Sequence, residues 1–153
     1  MTTEDYVSFE TAKLLKEKGF NETSKTIGTY NHKGEFYLYC HENGYNHNHL
    51  STWYSAPTLQ MAIKWLKEVH NILVVVDYEY ECTDTSYFYK IYRLGEHGKP
   101  ERVAVKGVSY DKNNNPTTHI VGWRDYERSN KDYSTREEAK EEGIKYALES
   151  LIF

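Results

Sequence analysis

The 153-residue chain predicts an α+β fold: an antiparallel sheet packed by about three helices in two layers. Three observations predict it. Three segments carry apolar residues at helical spacing behind a Ser or Thr cap. The segments between them alternate in polarity and are rich in Tyr and Val. Short turns containing Asn or Gly join these alternating runs, which makes neighbouring strands antiparallel. The expected order is α-β-β-α-β-β-β-β-α. With 3 Pro and no Gly/Ser-rich linker, residues 1–153 read as a single domain.

The first helix is expected over 9–18. Ser8 can accept from a free backbone N–H of the first turn, and Phe9, Ala12 and Leu15 fall three apart with Leu14 widening the stripe. Gly19 suits the left-handed position that ends it. The second is expected over 58–70, capped by Thr58, with Leu59, Ala62, Ile63, Leu66 and Val69 on one face, Met61 and Trp65 beside it, and Asn71 at the left-handed end. The third is expected over 135–150, where Ser134-Thr135-Arg136-Glu137 fits a capping box. Its inward residues are Ala139, Gly143 or Ile144, Ala147 and Leu151, and Glu138, Lys140, Glu141 and Glu142 face water. Gly143 costs about 1 kcal/mol against Ala in a helix, so close packing is expected there.

A strand near 27–30 turns through Asn31-His32-Lys33-Gly34 into a strand over 35–41, with Phe36, Leu38 and Cys40 on one side and Tyr37 and Tyr39 on the other. Glu42 to His49 reads as a polar loop. Residues 73–82 place Val76, Tyr78, Tyr80 and Cys82 opposite Asp77, Glu79 and Glu81. A strand over 86–94 follows, then a hairpin loop at Gly95–Gly98, a strand over 101–110, a turn at 111–116 and a last strand over 118–126 carrying Ile120, Val121 and Trp123.

Bulk numbers exclude several classes. The longest apolar run, Ile72 to Val76, is far short of the ~20 residues that span a bilayer, so no membrane association is expected. Met1 to Tyr6 has neither a basic patch nor an apolar run, Thr2 stands where myristoylation needs Gly, and no C-terminal prenylation Cys is present. A cytoplasmic location is therefore expected, with Cys40 and Cys82 as free, buried thiols. A net charge of −4 and a pI near 6.0 argue against binding nucleic acid through bulk charge.

Three stretches each resemble a stretch of a known group of proteins: Glu4-Asp5-Tyr6-Val7-Ser8-Phe9-Glu10 through Gly19-Phe20, Ser55-Ala56-Pro57-Thr58 through Trp65-Leu66-Lys67-Glu68-Val69-His70-Asn71, and Tyr133-Ser134-Thr135-Arg136 through Ala147-Leu148-Glu149. Together they are similar to a family of short uncharacterised proteins of gut Bacteroidales and their phages and prophages. The resemblance covers the three helices, roughly a third of the chain. It implies a phage or mobile-element accessory setting and brings no site residue or cofactor.

No local signature of catalysis is present: there is no G-x-S-x-G, P-loop or G-x-G-x-x-G. Cys40 or Cys82 with a His is formally a nucleophile–base pair, yet both cysteines fall on expected inward faces, where Cys acts as a small hydrophobe. Cys40 and His41 followed by His47 and His49 form the densest set of metal-ligand types, but the spacing is not a paired zinc pattern and neighbours in a strand point apart, so no metal or other cofactor is expected. Asp77, Glu79 and Glu81 read as a solvated outer face matched by Lys90, Arg93, Arg102 or Lys106.

The anomaly is tyrosine. The apolar set is 39% of the chain and 15 of those residues are Tyr. Tyr fills strands naturally, and an A/T-rich coding sequence favours Tyr and Asn together. Tyr and Trp also dominate binding hot spots. Tyr37, Tyr39, Tyr87, Tyr89, Trp53 and Trp123 are therefore the candidate binding residues, for a protein partner first. The alternative is stacking of single-stranded nucleic acid, which needs Lys33, Lys90, Arg93, Lys106 or Arg124 at their border. An enzyme of unrecognised geometry is the third reading.

Overall fold

Helices begin where a hydroxyl can replace a missing backbone partner, and strands run where alternation lets one side be covered. A computed structural model describes residues 6–153. Met1 to Asp5, on which the expectation of no leader or lipid anchor partly rests, lie outside the described residues. In chain order the elements are α1 (Phe9–Glu17), β1 (Ser24–Tyr30), β2 (Phe36–Tyr45), β3 (Tyr54–Ala56), α2 (Leu59–His70), β4 (Ile72–Glu81), β5 (Asp84–Arg93), a 3-10 turn (Glu96–Gly98), β6 (Val103–Tyr110), β7 (Pro116–Arg124), β8 (Glu127–Arg128) and α3 (Arg136–Ser150). The class is α+β with antiparallel sheets, in the expected order, with two short strands, β3 and β8, added.

The strands divide among three ladders: β2-β1-β3, β4-β5-β8, and the two-stranded β6-β7. All pairings are antiparallel. β1 is central in its sheet because Gly28 permits it. A Cβ there would lie 2.7 Å from the Phe36 ring and 2.8 Å from the Ala56 carbonyl oxygen, so only Gly lets both neighbours approach.

Ser8 and Thr58 cap as expected, and the α3 cap is Thr135, one residue past the Ser134 of the expected capping box. The Ser8, Thr58 and Thr135 side chains accept from Thr11, Met61 and Glu138 N–H respectively. Asn71 closes α2 in the left-handed region at φ 56°. In α2 the buried face is Leu59, Ala62, Trp65 and Leu66, and Val69 is exposed. Trp65 takes the inward place because it meets the Phe20 ring edge-on at 5.4 Å.

One core joins the helices to the inner face of β4 and β5. It holds Val7, Leu15, Leu59, Leu66, Val74, Ile91, Ile144 and Leu148, among others. Gly143 is where α3 touches that sheet: a Cβ would lie 2.8 Å from Val74 Cγ1 and 3.1 Å from Tyr89 Cβ. α1 is tied to α3 by Glu141, which accepts from Ser8 N at 2.9 Å and Thr11 Oγ1 at 2.6 Å, and by the Lys145–Glu10 pair at 3.0 Å. Glu141 is thus half-buried rather than a water-facing residue, since α1 supplies its donors.

The cysteines correct the sequence reading: both are exposed and free. Cys40 shares its side of β2 with Phe36, which packs against the core, and Leu38, which like Cys40 is exposed. Cys82 is in the two-residue turn between Glu81 and Asp84, at φ 49°. Alternation identified a face in each case, and the face runs beyond the part of the sheet that the helices cover.

Candidate binding face

β2 places Tyr37, Tyr39 and His41 on one side of the sheet, two residues apart. The strand continues past the expected end: across a register shift, Ser24 pairs with Tyr45. The shift admits extra residues on β2, including Gly44 at φ 77°, and brings Tyr45 back over His41 with ring centroids 4.8 Å apart. The stretch read as a polar loop from Glu42 therefore begins as strand.

Residues 46–53 then fold over the end of this face. Lys16 on α1 holds them, donating through Nζ to the carbonyls of Leu50, Ser51 and Trp53. Asn48 bridges in both directions, donating to Phe20 O and accepting from Ser55 N, each at 2.8 Å. His47 N donates to Ser55 Oγ at 2.7 Å. A segment rich in Asn and His is thereby fixed by its own amides, the usual use of Asn in turns.

The result is a continuous set of rings. Tyr37 meets Tyr39 at 6.3 Å and Trp53 at 6.0 Å. Tyr39 meets His47 at 5.3 Å, His47 meets Tyr45 at 4.7 Å and His41 at 5.8 Å, and Tyr45 meets His49 at 5.4 Å. Tyr37 is 40% exposed and Tyr39 37%. His49 Nδ1 lies 3.0 Å from Asn46 O, so it is the donor there, and Nε2 lies within hydrogen-bond distance of Tyr45 Oη at 2.9 Å. His47 Nδ1 is 2.9 Å from Oγ1 of the buried Thr29. Burial, with His41 and His49 beside it, lowers the His47 pKa below its usual 6.5. Glu35 accepts from Tyr37 O–H at 3.0 Å, and that hydrogen bond raises the Tyr37 pKa.

The fold thus gathers Tyr37, Tyr39, Trp53, His41, His47 and His49, all singled out in the sequence, and adds Tyr45. The signal for Tyr45 was its spacing of four from His41 within the Asn- and His-rich segment. Other candidates lie elsewhere. Tyr89 is buried against Tyr133 and Tyr146 in the core, so the reading of it as a binding residue does not stand. Tyr87 is half-buried and pairs with Tyr133 through the backbone. Trp123 is exposed on β7, under the Arg102 guanidinium at 5.9 Å.

Among the described residues no three His, Cys, Asp or Glu side chains are placed to hold an ion. Asp77 pairs with Lys90 at 3.0 Å and Glu79 with Arg128 at 2.9 Å, the matched outer face expected, with Arg128 as an unforeseen partner. A recess of about 390 Å³ between α1, β1 and the start of α3 is lined by Tyr6, Ser8, Tyr30, Leu59, Thr135 and Glu141, among others. Three of its polar groups are spent on the fold: Tyr30 O–H donates to Val7 O, Thr135 caps α3, and Glu141 accepts from Ser8 N and Thr11 Oγ1. No His, Cys or Lys lines it.

Among the described residues no helix is long and apolar enough to cross a membrane. Comparison with family models, curated proteins and solved structures finds no match.

Proposed function

We propose that the chain is a cytoplasmic protein-interaction module that docks a polypeptide partner through the aromatic and histidine face of β2. One observation carries the reading. Seven rings (Tyr37, Tyr39, His41, Tyr45, His47, His49, Trp53) form an unbroken chain of contacts on a sheet face that no helix covers. Rigid aromatic side chains with polar tips bury large area at little entropic cost, which is why they anchor interfaces. The helical resemblance supports a phage or mobile-element accessory setting, with a host or phage protein as partner.

The chemistry of the face favours a polypeptide over a nucleic acid. Lys90 and Arg93 are held in ion pairs with Asp77 and Glu127, Lys106 and Arg124 lie on β6 and β7, and of the five expected border cations only Lys33, in the turn before β2, belongs to this sheet. Lys16, which reaches the face, is committed to loop carbonyls. The test is capture of a partner from host lysate, followed by titration of that partner against Tyr37→Ala/Tyr39→Ala. The double variant is expected to bind at least about tenfold more weakly, the loss of a hot-spot pair. A captured partner that binds wild type and variant equally would remove this face from the function. Gel shift of a single-stranded oligonucleotide at low salt, lost in the same variant, would move the reading to nucleic acid.

A further inference from the structure

β6 and β7 form a ribbon that belongs to no larger sheet. An isolated two-stranded hairpin is marginal in water, because it has no second layer to cover its apolar side. Here that side is well defined. The pairs Ala104–Trp123, Lys106–Ile120, Val108–Thr118 and Tyr110–Pro116 share one face. Val121, the bulged residue, turns to the other and lies over Gly107, where a Cβ would come within 2.6 Å of it. Val108, Tyr110, Ile120 and Trp123 are 54–66% exposed.

The ribbon is also basic on an acidic chain. Residues 99–124 hold five cations (Lys99, Arg102, Lys106, Lys112, Arg124) against Glu101 and Asp111, whereas the whole chain carries −4. Lys99, Lys106 and Lys112 have no ion-pair partner among the described residues.

A second ribbon has the opposite charge. The far half of the β4–β5 hairpin carries Asp77, Glu79, Glu81 and Asp84 and no cation between them. Glu81 and Asp84 at its tip make no ion pair among the described residues. Tyr78 and Tyr80 stand beside them, 57% and 70% exposed, on the extension of the core face beyond α3. The accessible surface of the chain, 9943 Å², exceeds by more than roughly 1,000 Å² that of a compact monomer of 18.1 kDa.

We propose that two copies of this chain associate with two-fold symmetry, the basic β6–β7 ribbon of one seated on the acidic β4–β5 tip of the other. Both elements expose aromatics and carry complementary charge, so one contact covers both apolar faces and neutralises both clusters. Like ribbons would repel if they met, which excludes arm-on-arm pairing. Two-fold symmetry repeats the contact and closes the assembly. Tyr78, Tyr80, Val108, Tyr110, Ile120 and Trp123 together offer roughly 700 Å² per contact on the areas typical of such side chains. Two contacts give roughly 1,400 Å², within the 1,200–2,000 Å² of stable interfaces.

The experiment is sedimentation equilibrium of the full chain over concentration and salt, with charge-swapped variants. Wild type is expected to be a dimer at about 0.01 M salt and to weaken toward about 1 M, as the Debye length falls from about 30 to about 3 Å. Lys106→Glu/Lys112→Glu and Glu81→Lys/Asp84→Lys are each expected to weaken association at least about tenfold. An equimolar mixture of the two variants is expected to recover dimer, because each then supplies a complementary contact; misfolding of either variant could not produce that recovery. Trp123→Ser, with circular dichroism unchanged, is expected to be monomeric. A wild type that is monomeric under all conditions, or a mixture no tighter than its components, overturns the proposal. So does a monomer that shifts a duplex DNA probe in a Lys106- and Lys112-dependent way, since the ribbon would then serve a polyanion.

Discussion

His47 and His70 show how a half-buried ring ties stability to pH. Burial lowers the pKa of each below 6.5, and for His47 the neighbouring His41 and His49 add to the effect. His47 faces Thr29, Tyr39, Tyr45 and Trp53, and His70 packs edge-on against Trp65 at 4.7 Å. No carboxylate in these contacts would favour the cation. As pH falls through 6.5 the unfolded chain takes up these protons before the folded one, so the unfolded state binds more and stability drops. The contribution is complete above pH 6.5 and is lost until the pH passes the folded values. Tyr89 produces the opposite limb. Burial, then Tyr133 and Tyr146, push its pKa up to about 12, so unfolded tyrosine ionises first and stability falls above pH 10. Urea midpoints against pH are expected to decline on both sides. His47→Gln/His70→Gln should flatten the acid limb between about pH 6.5 and 5, the range in which ordinary imidazoles titrate. An acid limb as steep in that variant as in wild type would refute the assignment.

At the scale of elements, Lys16 decides whether residues 46–53 are a platform or a tether. Its three carbonyl acceptors span the loop, its ammonium also sits 4.7 Å from the Tyr54 ring, and partial burial lowers its pKa. Lys16→Gln is expected to cost about 1–2 kcal/mol, the scale of charge-assisted hydrogen bonds at a partly exposed site. Amide exchange at 46–53 should rise while α3 stays protected, and Trp53 fluorescence should shift toward that of exposed indole. Unchanged exchange there would mean that Asn48 and Ser55 suffice. The loop also marks where the sequence stops being legible. α1 and α2 were readable because Ser8 and Thr58 act on residues only three away, and α3 was readable to within one residue, its cap falling on Thr135 beside the expected Ser134. β2 was readable through Tyr37 and Tyr39, but its extension to Tyr45 depends on a bulge against Ser24. β3 and β8, three and two residues long, are too short to alternate. Tyr39 and Tyr89 look alike in sequence, each within an alternating Tyr-rich run. Only the docking of Gly143 against Tyr89 makes one core and leaves the other surface.

The whole molecule has a protected centre and two outlying ribbons. Val74, Ile91, Ile144 and Leu148, all nearly or fully buried, join α3 to β4 and β5. This explains the low apolar content: the helices and the near half of β4–β5 carry ordinary aliphatic packing, and Tyr replaces it where strands pass beyond the helices. Stability is therefore distributed unevenly, because local opening costs least where few apolar groups are lost to water. In hydrogen exchange of dilute protein, amides of 103–124 and 78–87 are expected to exchange through openings costing at least about 2 kcal/mol less than global unfolding, with α3 near the global limit. Raising the concentration should slow exchange in both ribbons together, because the proposed dimer covers them in one contact. Protection that rises in only one ribbon would point to another partner surface. Ribbon amides as slow as α3 in dilute protein would show that these strands need no second layer, and the physical reason for a second copy would disappear with that result.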